Sequence, residues 1–280
     1  MIALAGFVAL MLLALLGDLL AHGISAADIP AATRGSAIPP PTVYVPPPPE
    51  PTETASPTPP GVSLPTIVAP VGPGASGPTV SAFQQRLAQL TYMIGPVNGV
   101  YGSDTGFAVT AFQKVTGLPR TGVIDGATAA ALATAQIPTA TYLSPPDHIE
   151  VDIARQVLLV VSGGQVTTTV AVSTGSGETF YEKNSPGKHH AITPNGMFSV
   201  LWKYSGWWTS PLGQMYKPAF IDDTLGIAIH GYSSVPPQPA SHGCIRVPLA
   251  FADTMAKLDP VGMTVYVFGG PVGDNPPGAV

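Results

Sequence analysis

Ile227-Ala228-Ile229-His230-Gly231, a loop from Tyr232 to Ala240, and then Ser241-His242-Gly243-Cys244-Ile245-Arg246-Val247 hold most of the information in this 280-residue chain. Ile227-Ala228-Ile229 reads as the end of a buried strand, which puts His230 at the strand's exit. The loop contains three prolines and is expected to turn the chain back, so that the imidazole and the Cys244 thiol can meet. Cys244 is the only cysteine, so no intramolecular disulfide claims it. A thiol attacks a carbonyl as the thiolate, and a neighbouring imidazole that takes its proton makes that species accessible at neutral pH. Gly231 and Gly243 let the backbone approach a substrate closely. Consecutive N–H groups at Gly243 and Cys244 are then candidates for an oxyanion hole, worth roughly 3 to 4 kcal/mol per donor. Arg246 is a candidate bidentate clamp for a substrate carboxylate.

These residues carry a resemblance. The order His-Gly, loop, Ser-His-Gly-Cys-Ile-Arg resembles the catalytic motif of the L,D-transpeptidase family over Pro146 to Gly269. Further anchors are Val172-Ser173-Thr174-Gly175, Thr193-Pro194-Asn195-Gly196 and Ser210-Pro211-Leu212-Gly213. The resemblance implies a β-rich sandwich with one main helix over 146–270. It implies that Cys244 attacks the carbonyl of the third residue of a donor stem tetrapeptide, expels D-alanine and forms a thioester, which the amine of a neighbouring stem resolves. It also implies that carbapenems acylate the cysteine slowly. By position, Cys244 is the nucleophile, His230 the base, and the Gly231 carbonyl orients the imidazole. His242, the motif's second histidine, shapes the loop beside Gly243. Many family members carry asparagine where this chain has Arg246. Tyr216, in the segment leading to the His230 strand, is a further candidate for lining the donor site.

Other readings of the same residues are possible. A lone cysteine is often a small buried hydrophobe, or it can bridge two chains. His230, His242 and Cys244, with His189 or His190, have ligand chemistry for zinc, but their spacing fits no common structural zinc pattern. We therefore expect no metal and no organic cofactor. His189 and His190 read as exposed loop residues, and His22 and His148 have no informative context. Ser185-Pro186-Gly187-Lys188 fits a serine-x-x-lysine pattern, but proline and glycine spoil the helix it needs. Gly72-Pro73-Gly74-Ala75-Ser76-Gly77 fits a dinucleotide fingerprint, but no strand precedes it.

The bulk composition sets bounds on the rest. Only 10% of residues are charged and the net charge is −5, so there is no basic surplus for nucleic acid. Residues 1–27 begin with the apolar run Ile2 to Leu16 and end in small residues, as an export signal or a retained membrane anchor does. Many of the 33 prolines concentrate in 28–78, a segment that reads as a disordered spacer of polyproline II and flexible stretches.

From 79 to 138 the period becomes helical, with Val80, Phe83, Leu87 and Leu90 and then Phe107, Val109, Ala111 and Phe112 recurring. Ser103 or Asp104 is available to cap the second helix, and a third helix spans Gly126 to Ala135. This unit resembles the three-helix peptidoglycan-binding domain through Phe83-Gln84-Gln85-Arg86-Leu87, Asn98-Gly99, Phe112-Gln113, Gly117-Leu118 and Thr128. The resemblance implies that it binds the wall polymer.

Beyond Ser144-Pro145-Pro146 the period falls to two. Ile149, Val151 and Ile153 alternate with polar residues, and Val157 to Val161 and Val166 to Val172 flank Ser162-Gly163-Gly164-Gln165 as a hairpin. Strands are predicted at Met197 to Trp202, Gly226 to His230 and Met263 to Phe268. A helix is predicted from Leu249 to Leu258 behind Pro248, and 271–280 reads as a tail. Trp202 is expected in the core; Trp207 and Trp208 suit a core, a glycan platform or a flap.

The expectation is thus a monomeric cell-envelope protein, outside the plasma membrane, acting on peptidoglycan stem peptides and glycan. The alternatives are an L,D-carboxypeptidase, which passes the acyl group to water, and a non-catalytic wall-binding structural protein.

Overall fold

The structure is a computed structural model that describes residues 63–92, 95–182, 185–258 and 260–270. The expected signal or anchor (1–27), the spacer as far as 62 and the tail from 271 lie outside the described residues. Among the described residues no helix is long and apolar enough to cross a membrane.

The helical unit begins before residue 79. Val71 pairs with Ile124 and Ser76 with Val100 in isolated bridges. Leu64, Ile67, Val71 and Ala75 pack on the helical core. The last part of the expected spacer is therefore ordered, because its apolar residues find a hydrophobic face that a pure proline run would not offer.

Helix α1 (Pro78–Gln89) starts on a proline, which has no N–H to leave unsatisfied there. Helix α2 (Ser103–Thr116) is N-capped by Gly102 without a side-chain bond, so neither Ser103 nor Asp104 is the cap. Helix α3 (Gly126–Thr134) is capped by Asp125, whose carboxylate accepts from Thr128 N at 2.8 Å. Phe83, Leu87, Leu90, Val109, Ala111, Phe112 and Leu132 form the core between them. Arg86 is buried within this unit. Its guanidinium donates to Leu132 O and Ala135 O, both at 2.8 Å, and satisfies carbonyls that α3 leaves open at its C-terminus.

The C-terminal part of the chain is a two-sheet sandwich. Strands β1 (His148–Asp152), β2 (Val157–Ser162) and β3 (Gln165–Ala171) join β6 (Gly196–Ser199) and β12 (Thr264–Phe268) in the order β3-β2-β1-β12-β6. The second sheet runs β11 (Ile245–Pro248), β10 (Ile227–Tyr232), β9 (Gly213–Asp222) and β7 (Trp202–Lys203), with β8 (Trp207–Ser210) also paired to β9. Strands β4 (Thr179–Glu182) and β5 (Ser185–His190) form a separate hairpin. Helix α4 (Leu249–Leu258) adds Phe251, Ala252 and Met255 to a core that includes Ile149, Val151, Leu158, Val265, Ile221, Ile229 and Val247. The predicted hairpin forms: β2 and β3 are joined by Gly163 and Gly164 at φ 58° and 77°, as a primed two-residue turn requires.

Several local expectations change. His189 and His190 lie in β5 of a hairpin and not in a loop. The strand predicted at Met197 to Trp202 is two strands, β6 in one sheet and β7 in the other, because the chain crosses between layers at Val200 and Leu201. The polar side of β1 does not face water. His148 and Glu150 are fully buried under the interdomain segment, where Thr141 N and Tyr142 N donate to Glu150 at 2.9 and 2.7 Å. His148 Nδ1 meets Pro145 O at 2.6 Å and Nε2 meets Glu150 Oε1 at 3.0 Å. Pro145 O only accepts, so Nδ1 carries a proton.

Candidate active site

β10 and β11 run parallel, with Ile229 beside Ile245 and His230 beside Arg246. Register partners point to one face and every second residue returns to it. Cys244, one residue before Ile245, lies beside Ala228 and so shares that face with His230 and Arg246. The face opens on a cavity of about 230 Å³ lined by all three, together with Trp208, Met215, Tyr232 and His242. A second cavity of about 220 Å³ lies beyond His242, between Glu178, Phe180, Ala191 and Ser241. Trp208 and the anchor Ser210-Pro211-Leu212-Gly213 line the cavity, and the lining residues that the sequence reading missed include Met215, Phe220 and Leu225.

His230 is 4% exposed. Its Nδ1 sits 3.0 Å from Gly231 O. A carbonyl has no proton to give, so Nδ1 carries the hydrogen and Nε2 keeps its lone pair as long as the ring is neutral. Burial brings the imidazole pKa down to about 4, against the Gly231 bond, which raises it, and with help from the Arg246 charge. The ring is therefore neutral, and in the proton-accepting tautomer, across the neutral range. Gly231 has no room for a side chain: a Cβ there would lie 2.8 Å from Ala252 Cβ and 3.1 Å from the Tyr216 ring.

Cys244 is half-buried. Burial pushes its thiol pKa up, while the Ala228 N–H and the Arg246 charge pull it down. Sγ donates to Gly226 O at 3.6 Å, so the thiol's hydrogen bond runs toward the start of β10 and away from His230. Arg246 lies over the Tyr232 ring at 4.5 Å, a cation–π contact that holds the guanidinium at the cavity wall.

The loop before the nucleophile is built from its own polar groups. Ser241 Oγ donates to Cys244 O at 2.6 Å and accepts from Gly243 N at 3.0 Å. Of the two N–H groups expected to form an oxyanion hole, that of Gly243 is therefore already engaged by Ser241 Oγ. Thr193 Oγ1 donates to Gly243 O and accepts from Gly175 N, tying two of the sequence anchors together. Gly243 has φ 139°, and a Cβ would stand 2.9 Å from Ile192 O, so only glycine fits. His242 is exposed, with its ring 4.7 Å from that of Phe180. It forms the partition between the two cavities.

Tyr216 does not line the cavity. Its hydroxyl donates to Asp253 at 2.9 Å, on the α4 side of β9, and strand alternation gives the cavity wall to Met215 instead. The same alternation separates the tryptophans: Trp208 lines the cavity, while Trp207 is exposed and lies 5.0 Å from Tyr216. Trp202 is half-buried, stacked on Phe220 at 3.9 Å, in the small cluster that backs Cys244 and not in the main core. Among the described residues no cluster of three or more His, Cys, Asp or Glu is placed to hold a metal ion.

Comparison with known proteins agrees with this geometry. The L,D-transpeptidase catalytic domain model matches residues 146–267, and a peptidoglycan binding domain model matches residues 76–132. No curated protein sequence matches at a significant level. Among solved structures, an L,D-transpeptidase from Xylanimonas cellulosilytica is 38% identical, over 73% of this chain and 100% of that one, with a TM-score of 0.68. L,D-transpeptidases from Stackebrandtia nassauensis (21% identity, 74% of this chain and 100% of that one, TM-score 0.42) and Mycobacterium smegmatis (20%, 44% and 58%, 0.35) are more distant. The chain belongs to the L,D-transpeptidase family, its sandwich preceded by a peptidoglycan-binding helical unit.

Proposed function

We propose that the chain is an exported enzyme of the cell envelope that cross-links peptidoglycan stem peptides through a thioester on Cys244. The observation that carries this reading is that His230, with Nδ1–H held by Gly231 O, shares one cavity with the sole cysteine. Rotation of Cys244 about χ1 takes Sγ off Gly226 O and toward the lone pair of Nε2. The imidazole removes the thiol proton as sulfur attacks the carbonyl of the donor stem's third residue. The tetrahedral adduct then breaks its C–N bond, and the imidazolium returns the proton to the departing D-alanine amine. His230 next takes a proton from the acceptor amine, which attacks the thioester and expels the thiolate. Arg246 faces the cavity where the carboxylate of the leaving D-alanine has to be held. Such a two-step transfer needs room for two chains, and the second cavity across His242 supports that requirement. The helical unit keeps the enzyme on its polymeric substrate.

Incubation with purified stem tetrapeptides, read by product mass, tests the reaction. Cross-linked dimer with release of D-alanine is expected. Tripeptide without dimer makes the protein a carboxypeptidase, and unchanged tetrapeptide leaves it a wall-binding protein without turnover.

A further inference from the structure

One lysine stands apart from the catalytic machinery. Lys114, on the last turn of α2, is 2% exposed, and no carboxylate among the described residues pairs with it. Its Nζ leaves the helical unit altogether and donates to two backbone carbonyls of the sandwich, Val172 O at 2.8 Å and Gln156 O at 3.0 Å. Burial, with the nearby Arg120 charge, brings its pKa down to about 7. A neutral amine has two protons, one for each carbonyl.

Those two carbonyls begin a continuous chain of hydrogen bonds. Gln156 sits at φ 62°, and its amide grips Thr174 on both sides: Thr174 N donates to Oε1 at 2.9 Å and Nε2 donates to Thr174 Oγ1 at 2.6 Å. Thr174 O in turn accepts from Ala240 N at 3.0 Å and Ser241 N at 2.9 Å. Ser241 Oγ holds Gly243 N and Cys244 O. A second, exposed contact runs in parallel: Arg120, just beyond α2, donates to Pro237 O at 3.1 Å in the loop that joins His230 to Cys244.

We propose that Lys114 and Arg120 of the helical unit are positioning residues for the nucleophile loop, so that this unit is a structural part of the active site as well as a wall-binding module. The Cys244 reading enters only in naming which atom the loop presents. Lys114 fixes the Gln156–Thr174 pair on which Ala240 and Ser241 hang, and Arg120 fixes the same loop three residues earlier, at Pro237. The geometry of Sγ therefore depends on how α2 is seated on β3, and a force or ligand that shifts α2 reaches the thiol through bonds already made.

The test uses the full chain and the alkylation rate of Cys244 by iodoacetamide, read by intact mass on variants whose near-ultraviolet circular dichroism shows them folded. Lys114→Met is expected to change that rate by about fivefold or more and Arg120→Ala by about twofold, while Leu132→Ala, a core truncation remote from the loop, stays within about twofold of wild type. With a carbapenem, Lys114→Met is expected to lower the maximal acylation rate and leave the half-saturating concentration unchanged, because no cavity residue is altered. Wild-type alkylation rates in folded Lys114→Met and Arg120→Ala overturn the proposal, as does an equal change in Leu132→Ala. Should Lys114→Met fail to fold, Arg120→Ala decides alone, since its side chain is exposed and its loss leaves the core intact. A wild type that forms no carbapenem adduct refutes the transpeptidase reading, while the alkylation rates still decide this one.

Discussion

The protonation of His230 sets the pH behaviour of the site. Its pKa of about 4 lies below the unfolded value near 6.5 because the ring is buried. Between those two values the unfolded chain binds more protons than the folded one, so stability falls as pH drops from 6.5 to 4, by roughly 3 kcal/mol in full. Denaturant melts of His230→Asn should lack this contribution; an unchanged slope would show that the imidazole is not the group responsible. A neutral imidazole and a protonated thiol together have the same proton count as the ion pair of the proposed attack. Acylation of Cys244 is therefore expected to be nearly flat from pH 7 to 5 and to fall near 4. A tenfold loss per unit over that range would mean a thiolate working without its base. Gly243→Ala forces a Cβ onto Ile192 O at a positive φ. It should lower stability by roughly 1 to 3 kcal/mol and abolish acylation in the same mass assay; an active variant would contradict the tight fit of this loop against Ile192. The motif itself was legible in the sequence, because chemistry-bearing residue types sat at short spacing. The Gly243 N–H was not, since its capture by Ser241 Oγ depends on a loop conformation that residue types leave open. His148 escaped notice for a related reason. Only the pairing of a His and a Glu two apart on one strand face hinted at the buried contact, and the segment that covers them is set by tertiary packing.

At the scale of elements, regular periodicity was readable and interrupted periodicity was not. β1 and the first two described helices follow apolar spacings of two or of three and four, and β2 reads as a continuous apolar run. β9, the longest strand, was missed because Lys217 at φ 46° and Pro218 break its alternation. β11 was missed because its four residues follow Cys244 directly and end in Pro248. The strand pair that presents His230 and Arg246 side by side was thus half invisible, and so was the β8–β9 wall bearing Trp208 and Met215. Lys114 offers a test of how α2 meets the sandwich. Its folded pKa near 7 lies below the unfolded value of 10.5, so folding releases a proton and stability should rise with pH from about 7 toward 10. Lys114→Met should remove that rise in denaturant melts at pH 7 and pH 9. Equal slopes in the two proteins would mean that the amine is charged and solvated, contrary to its burial.

For the whole molecule, the described residues fall in a single compact unit. The expected helical region and β-rich sandwich are both present, but the contact between them was beyond composition and periodicity. Ala171 of β3 belongs to the helical core, while Ile137 and Ala140 of the connecting segment cover Leu159, Val161 and Val166 on the outer face of β2 and β3. Calorimetry of the full chain should show one transition for both parts. A chain beginning at residue 146 should melt lower by roughly 5 °C or more and associate through the uncovered apolar face. Two separate transitions, or a fragment as stable as the parent, would show the interface to be incidental. The proposed chemistry rests on one sulfur, and intact-mass spectrometry of the full chain after exposure to a carbapenem addresses it most directly. One adduct on wild type and none on Cys244→Ser is the expected result; no adduct on wild type, or an equal adduct on Cys244→Ser, would contradict a Cys244 nucleophile.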